Sequence, residues 1–301
     1  MPFLIADVRD LVDILQDVPN PFCMYFGGDI HHLSNRAIKL LRRYPSIVWL
    51  YPWFRDSDTF FASHELDPAP WTLSETVKRK IIELEPKFGF TATVPSGLGF
   101  FDEWKQRGIT VVSLPLACDT KLYSKNSSDV PAFSGVQLAF VGGYWTSKGR
   151  QIDRYLRQFE DRLVVYGYNE WPYTGYRGRL DATLEPSLYR QAMIAPAVNE
   201  PTVQLLKGQI NERVFKVLGS YGCPVVDAVP AYRELYTENE LLVSDGPEDF
   251  REIVEMLLSD VDMNERYRQR GHAATLDRHT YRHRAETILR ELHMSSLARP
   301  Q

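Results

Sequence analysis

Three cysteines in 301 residues leave little room for cysteine chemistry. Cys23, Cys118 and Cys223 form no CxxC pair, so neither a zinc knuckle nor a disulfide framework is expected. Each lies in or beside an apolar run and reads as a small buried hydrophobe. Long hydrophobic runs are missing too: none approaches the ~18 to 20 apolar residues that span a bilayer. The start, MPFLIADVRDLVDIL, meets Asp7, Asp10 and Asp13 with no cationic leader, so a secretory signal is not expected and the cytoplasm is the expected location. Charge of one sign is scarce. A formal net charge of −4 provides no global attraction to nucleic acid or anionic lipid. Neither half carries a complete GxGxxG after a strand, which argues against a dinucleotide oxidoreductase. There is no internal repeat and no low-complexity tract.

Short apolar runs are what the chain does have. PFCMYFGG (21–28), SIVWLYP (46–52), FGFTATV (88–94) and ITVVSLPL (109–116) form one series. QLAFVGG (137–143), RLVVYGY (162–168), MIAPAV (193–198), GCPVVDA (222–228) and ELLVSDG (240–246) form a second. Runs that are apolar throughout suit strands buried on both faces of a parallel sheet. Helical patterns lie between them, over 35–43, 74–83, 151–159, 184–192 and 211–220. The alternation predicts α/β architecture: two Rossmann-like domains facing across a cleft. The polar segment SKNSSDVPAFS (124–134) is the expected linker, so the domains are expected at 1–123 and 135–279.

In the second half, QLAFVGGYWTSKGRQIDRYL reads as strand, loop and helix. Gly142 and Gly143 allow a tight turn and close approach to a ligand, or simply form a βα turn. Lys148 and Arg150 stand where the loop meets the helix, placed to neutralise a diphosphate. Tyr168 or Trp171, in the loop after the next strand, is a candidate to stack on a nucleobase, the alternative being an ordinary loop aromatic.

Three stretches carry a family resemblance. They are Asn211-Glu212-Arg213-Val214-Phe215-Lys216, Tyr221-Gly222-Cys223-Pro224-Val225-Val226-Asp227, and His279-Thr280-Tyr281-Arg282-His283-Arg284. With Leu114-Pro115-Leu116-Ala117-Cys118-Asp119, the chain from 114 to 289 resembles the glycosyltransferase group 1 superfamily of GT-B fold, and within it the branch related to spore-maturation protein CgeB. The resemblance implies a C-terminal domain that holds a nucleotide-sugar, an N-terminal domain that presents the acceptor, and a C-terminal helix (280–301) crossing back to the first domain. It implies phosphate contact by Lys148-Gly149 and by Arg213, with Asn211, Glu212 and Lys216 beside them. Fixed cations stabilise the charge that develops on a leaving nucleoside diphosphate, so no metal or other cofactor is expected. Lys216 departs from the family pattern, which has Glu there to bind the ribose. Either Glu212 takes that role or the donor is held differently, and a solvated surface lysine is the plain alternative. His279 and Tyr281 read as structural pins.

In the first half, Asp29, His31 and His32 follow a predicted strand at the expected cleft. Asp29 and His31 are candidates for the general base that takes the acceptor's proton, against a helix-capping or solvated role. Trp49, Tyr51, Trp53 and Phe54, followed by Arg55, Asp56 and Asp58, suit stacking against a sugar, although half of them belong in a core. Gly97 and Gly99 read as a turn. The function expected is transfer of a sugar, hexosyl or related, from a nucleotide-sugar to a hydroxyl acceptor such as a glycan. The alternatives are a sugar-nucleotide epimerase of the same fold and a degenerate nucleotide-sugar-binding protein. Peripheral membrane contact and a nucleic-acid acceptor are minor possibilities.

Overall fold

The computed structural model describes residues 10, 14–15, 18, 21–53, 62–64, 73–126, 128–206 and 208–297. The chain divides into two compact units, Met1–Leu114 with Arg290–Gln301, and Pro115–Leu289.

The first unit holds a parallel sheet in the order β1 (Cys23–Phe26), β2 (Ser46–Trp49), β3 (Phe88–Thr91), β4 (Val111–Ser113). All four fall within the predicted runs. Helix α1 (Asn35–Leu41) is capped by the Ser34 side chain and α2 (Glu75–Glu83) by that of Ser74. The apolar faces of these helices, Ile38 and Leu41, Val77 and Ile81, close over Tyr25, Val48 and Leu50, with Trp104 of α3 (Asp102–Gln106) in the same core. Residues 95–101, expected as a turn, wind into a 3-10 helix started by Pro95.

The second unit is built on β5 (Leu138–Val141) and β6 (Leu163–Tyr166), paired in parallel, and on β7 (Val225–Val226) with β8 (Leu242–Val243). The 193–198 segment, expected as a strand, joins these pairs into one sheet. Ala139 N donates to Ile194 O (3.0 Å) and Ile194 N to Gln137 O (2.9 Å). On the other side Ala195 N donates to Cys223 O and Ala197 N to Val225 O, both at 2.8 Å. Its pairing reduces to single bridges. Pro196, which has no N–H to give, stands in the middle of it. The resulting order is β6, β5, 193–198, β7, β8, all parallel. Winding reverses between β5 and the 193–198 segment, and ligands bind at such a switch point, beyond the carboxyl ends of the strands.

Alternate residues of β5 feed opposite faces. Leu138 and Phe140 join Ile152, Tyr155 and Leu156 of α4 (Thr146–Leu156) and Phe250, Val254 and Leu257 of α8 (Pro247–Ser259). Ala139 packs with Leu188 of α5 (Glu185–Gln191) and with Phe133. The further α-helices are α6 (Pro201–Leu205), α7 (Arg213–Gly219), α9 (Val261–Arg278) and α10 (Tyr281–Leu297).

Two boundaries differ from expectation. The division falls at Leu114/Pro115 rather than in 124–134, and the second unit extends to Leu289 rather than 279. The 124–134 segment is polar but attached. Ser187 Oγ donates to Ser128 O at 2.6 Å, Arg190 pairs with Asp129 at 2.5 Å, and Phe133 is buried. The tail is sewn to the start of this unit: Cys118 N donates to His279 O (2.8 Å), and Arg284 donates to Pro115 O (2.6 Å) and Leu116 O (3.1 Å).

Candidate functional site

At the switch point of the second unit a cavity of ≈ 790 Å³ opens, and it gathers seven of the nine residues expected to hold the donor: Gly142, Lys148, Tyr168, Asn211, Glu212, Arg213 and Lys216. Gly143 and Arg150 are outside its lining; Arg150 is exposed on α4.

Arg213 is the centre of it. Its Nη2 donates to Val141 O (3.1 Å) and its Nη1 to Val198 O (3.0 Å), so the guanidinium spans the ends of the two strands that flank the switch point. The group also lies 4.3 Å over the Phe140 ring. A guanidinium carries five N–H donors, and these two bonds leave three for a ligand. Gly142 is needed for this docking. Its φ is not positive although the chain bends there, and a Cβ at this position would stand 2.9 Å from Arg213 Nη2. Gly143 serves in the same way, its missing Cβ leaving room for the rings of Tyr168 and Trp145.

Lys148 falls inside α4 rather than before it, because the helix begins at Thr146, five residues earlier than the pattern implies. The side chain is buried, 3.3 Å from Glu200 Oε1 and 4.2 Å above the Trp145 ring. Burial and the neighbouring Arg213 charge push its pKa down to about 8, with Glu200 opposing them. Two cations that disfavour each other in one cavity make a site that gains from an anion. The N-cap residue of α4, Trp145, makes no side-chain cap bond, and the helix dipole at this end acts in the same sense.

The remaining expected residues divide. Asn211 points inward: its Oδ1 accepts from Arg213 N (3.0 Å), and its Nδ2 donates to Asn199 Oδ1 (2.6 Å). Lys216 is ion-paired with Glu212 one helical turn away and lies 5.3 Å from the Tyr123 ring. It is a half-buried lining residue, not a solvated lysine, and the same pair engages Glu212. Tyr168 is 69% exposed at the rim. Trp171 is core: its Nε1 donates to Gly142 O at 3.0 Å, and it packs against Phe140, Tyr144 and Tyr173.

In the first unit, Asp29, His31 and His32 lie in a 3-10 helix, Gly27–His32, with all three side chains exposed. His31 Nδ1 is 2.6 Å from Gly28 O, and the two imidazoles are 3.6 Å apart. Trp53 belongs to a packed group, 4.6 Å edge-on to Trp104 and under the Lys78 ammonium. Phe54, Arg55, Asp56 and Asp58 lie outside the described residues. Asp260, which makes an Asp-x-Asp spacing with Asp262, caps α9 through Met263 N.

Sequence reasoning missed Glu200, two residues beyond the 193–198 run, and Arg179, Asp181 and Glu185, all in the lining of the cavity. Position beyond an apolar run was a usable signal for Glu200. Glu185, which accepts from Tyr123 OH at 2.8 Å, had none.

Residues 149–290, just under half of the chain, match a family model described as glycosyl transferase-like. No curated protein matches the chain. Solved structures do. The sucrose-phosphate synthase of Thermosynechococcus elongatus superposes with a TM-score of 0.64 at 10% identity, over 97% of this chain and 79% of that one. A UDP-forming α,α-trehalose-phosphate synthase from Burkholderia vietnamiensis gives 0.58 at 11%, over 95% and 76%. Anabaena HepE in complex with UDP and glucose gives 0.59 at 12%, over 95% and 81%. The fold is that of the GT-B glycosyltransferases. Among the described residues no helix is long and apolar enough to cross a membrane.

Proposed function

We propose that the chain is a glycosyltransferase that moves a sugar from a nucleotide-sugar donor to a hydroxyl acceptor, taken to be a glycan, with side-chain cations in place of a metal. The observation that carries this reading is Arg213 docked across the strand ends at the switch point, beside buried Lys148, in one cavity. The glycosyl transferase-like match over 149–290, and the UDP held by HepE on a similar fold, support a nucleoside diphosphate as the ligand. The acceptor oxygen bonds to the anomeric carbon while the bond from that carbon to the phosphate oxygen breaks. The electron pair and negative charge go to the leaving diphosphate, where Lys148 and Arg213 stabilise them. The acceptor's proton goes to a base, for which Asp29 and His31 are the candidates.

Thermal unfolding with UDP-, GDP-, ADP- and CMP-sugars tests the donor site. A true donor at a hundredfold excess over its Kd adds about 2.7 kcal/mol of stability. A flat response to the whole panel rejects the reading. Product analysis with the best donor then separates transfer from isomerisation of the sugar nucleotide.

A second reading, donor binding without transfer, is favoured by one observation. Lys216 occupies the position at which the resembling branch has Glu, and it engages Glu212 rather than leaving that carboxylate for a ribose. Stabilisation by a nucleotide-sugar, with no nucleotide released under any acceptor, would establish it.

A further inference from the structure

Asp227 is fully buried at the end of β7, and nothing in the proposed chemistry uses it. Its carboxylate accepts four N–H bonds. Oδ2 takes Asn199 N (3.0 Å), Gln151 Nε2 (3.4 Å) and Gln204 Nε2 (3.3 Å), and Oδ1 takes Asn199 Nδ2 (2.6 Å). Every donor belongs to a segment that delivers a cavity residue. Gln151 lies three residues beyond Lys148 on α4. Gln204 is on α6, which Glu200 opens. Asn199 directly follows Val198, the carbonyl on which Arg213 docks.

The network runs on from Asn199. Its Oδ1 takes Asn211 Nδ2 at 2.6 Å, and Asn211 Oδ1 takes the backbone N of Arg213 at 3.0 Å. Tyr232, also buried, closes it by donating to Asn211 O at 3.2 Å. Burial raises the pKa of this carboxyl, and the bonds from Asn199, Gln151 and Gln204, which favour the ionised acceptor, oppose that shift.

Resting on the donor-site reading above, we propose that Asp227 is the positioning residue of the diphosphate site. It holds the Lys148 helix and the Arg213 loop in one register through Gln151 and through Asn199–Asn211. Groups that fix the ligand-touching side chains set how well a preorganised site works, and their loss is felt in affinity.

Calorimetric titration with UDP tests this. Asp227→Asn turns an amide N–H toward existing donors and is expected to raise the Kd for UDP on the order of tenfold, the scale on which outer-shell partners tune a site. In an Arg213→Ala background the same change should do less, because the Asn199–Asn211 branch then has no guanidinium to place and only the Gln151 branch remains. A merely structural role would give equal, additive effects in both backgrounds. Gln151→Ala, which cuts one branch only, decides the matter if Asp227→Asn does not fold: its effect should be coupled to Lys148→Ala and not to Arg213→Ala. Wild-type affinity in Asp227→Asn, or additivity throughout, overturns the inference and leaves the donor site standing. Absence of UDP binding by the wild-type chain removes both.

Discussion

Arg213 donates through Nη2 to the carbonyl oxygen of Val141, 72 residues earlier in the chain, at 3.1 Å. That bond fixes the guanidinium at the end of β5, and Val198 O fixes it on the next strand. Arg213→Ala is therefore expected to lower the proposed transfer activity roughly 100-fold or more, the scale of losing one preorganised donor at developing charge. Arg213→Lys should recover little of it, because an ammonium cannot reach two carbonyls and a ligand in one plane. Steady-state kinetics with the donor found by thermal shift checks both; a Lys variant as active as the wild type would refute the docked-fork argument.

Lys148 gives a pH dependence with opposite signs for folding and for binding. Its pKa is about 8 in the folded chain against an ordinary 10.5, so between these values the unfolded chain binds more protons. Stability of the ligand-free protein from this group therefore rises as pH rises from about 8 to 10.5. A diphosphate needs the ammonium, so UDP affinity falls over the same interval, by at most about tenfold per pH unit. Lys148→Met should flatten both limbs. Denaturant titrations and UDP titrations between pH 7 and 10 provide the comparison, and parallel rather than opposed slopes would contradict the assignment.

Two glycines near the cavity should respond differently to Ala. A Cβ at Gly167 would lie 2.3 Å from Gly142 O and 2.6 Å from Trp171 Nε1, two atoms already hydrogen-bonded to each other. Gly167→Ala is expected to cost about 1 to 3 kcal/mol, as overpacking does, and to weaken UDP binding with it. A Cβ at Gly143 meets the rings of Tyr168 and Trp145, which are 69% and 36% exposed and can swing away. That variant should lose about 0.5 kcal/mol or less. Melting curves of the two proteins would show the difference directly.

These contrasts mark what the sequence made legible. The strands were readable because runs such as LAFV and LVVY are apolar on both faces, as a sheet covered on both sides requires. Lys148 was readable by its place past a strand beside Gly149, and Arg213 by the family resemblance and its place at a helix start; both line one cavity. Trp171 was not: an aromatic in a loop looks the same whether its indole N–H faces a ligand or, as here, the Gly142 carbonyl. The Asp227–Asn199–Asn211 network is assembled from positions 12 to 28 residues apart, with no periodicity to announce it. The expected linker, 124–134, lies within the second unit for a related reason. Its polarity is real, but Ser128 and Asp129 spend it on bonds to Ser187 and Arg190.

The last prediction concerns His279, which lies between α9 and α10. Its ring is buried against Phe215 and Tyr236, with Nε2 2.9 Å from Leu235 O. Burial pushes its pKa down to about 4, helped by Arg284 and Arg278, while the bond to Leu235 O opposes the shift. The unfolded chain, with an ordinary value near 6.5, binds the proton first. Stability from this group is therefore whole above about pH 6.5 and declines as pH falls toward 4, by roughly 2 to 3 kcal/mol over the full interval. His272, also depressed by burial, adds to the same limb. His279→Gln keeps an N–H for Leu235 O and cannot titrate. It should be less stable than the wild type at pH 7.5 yet lose less between pH 7 and 5. Denaturant unfolding at those pH values measures it, and an equal acid loss in both proteins would show that His279 is not the group responsible.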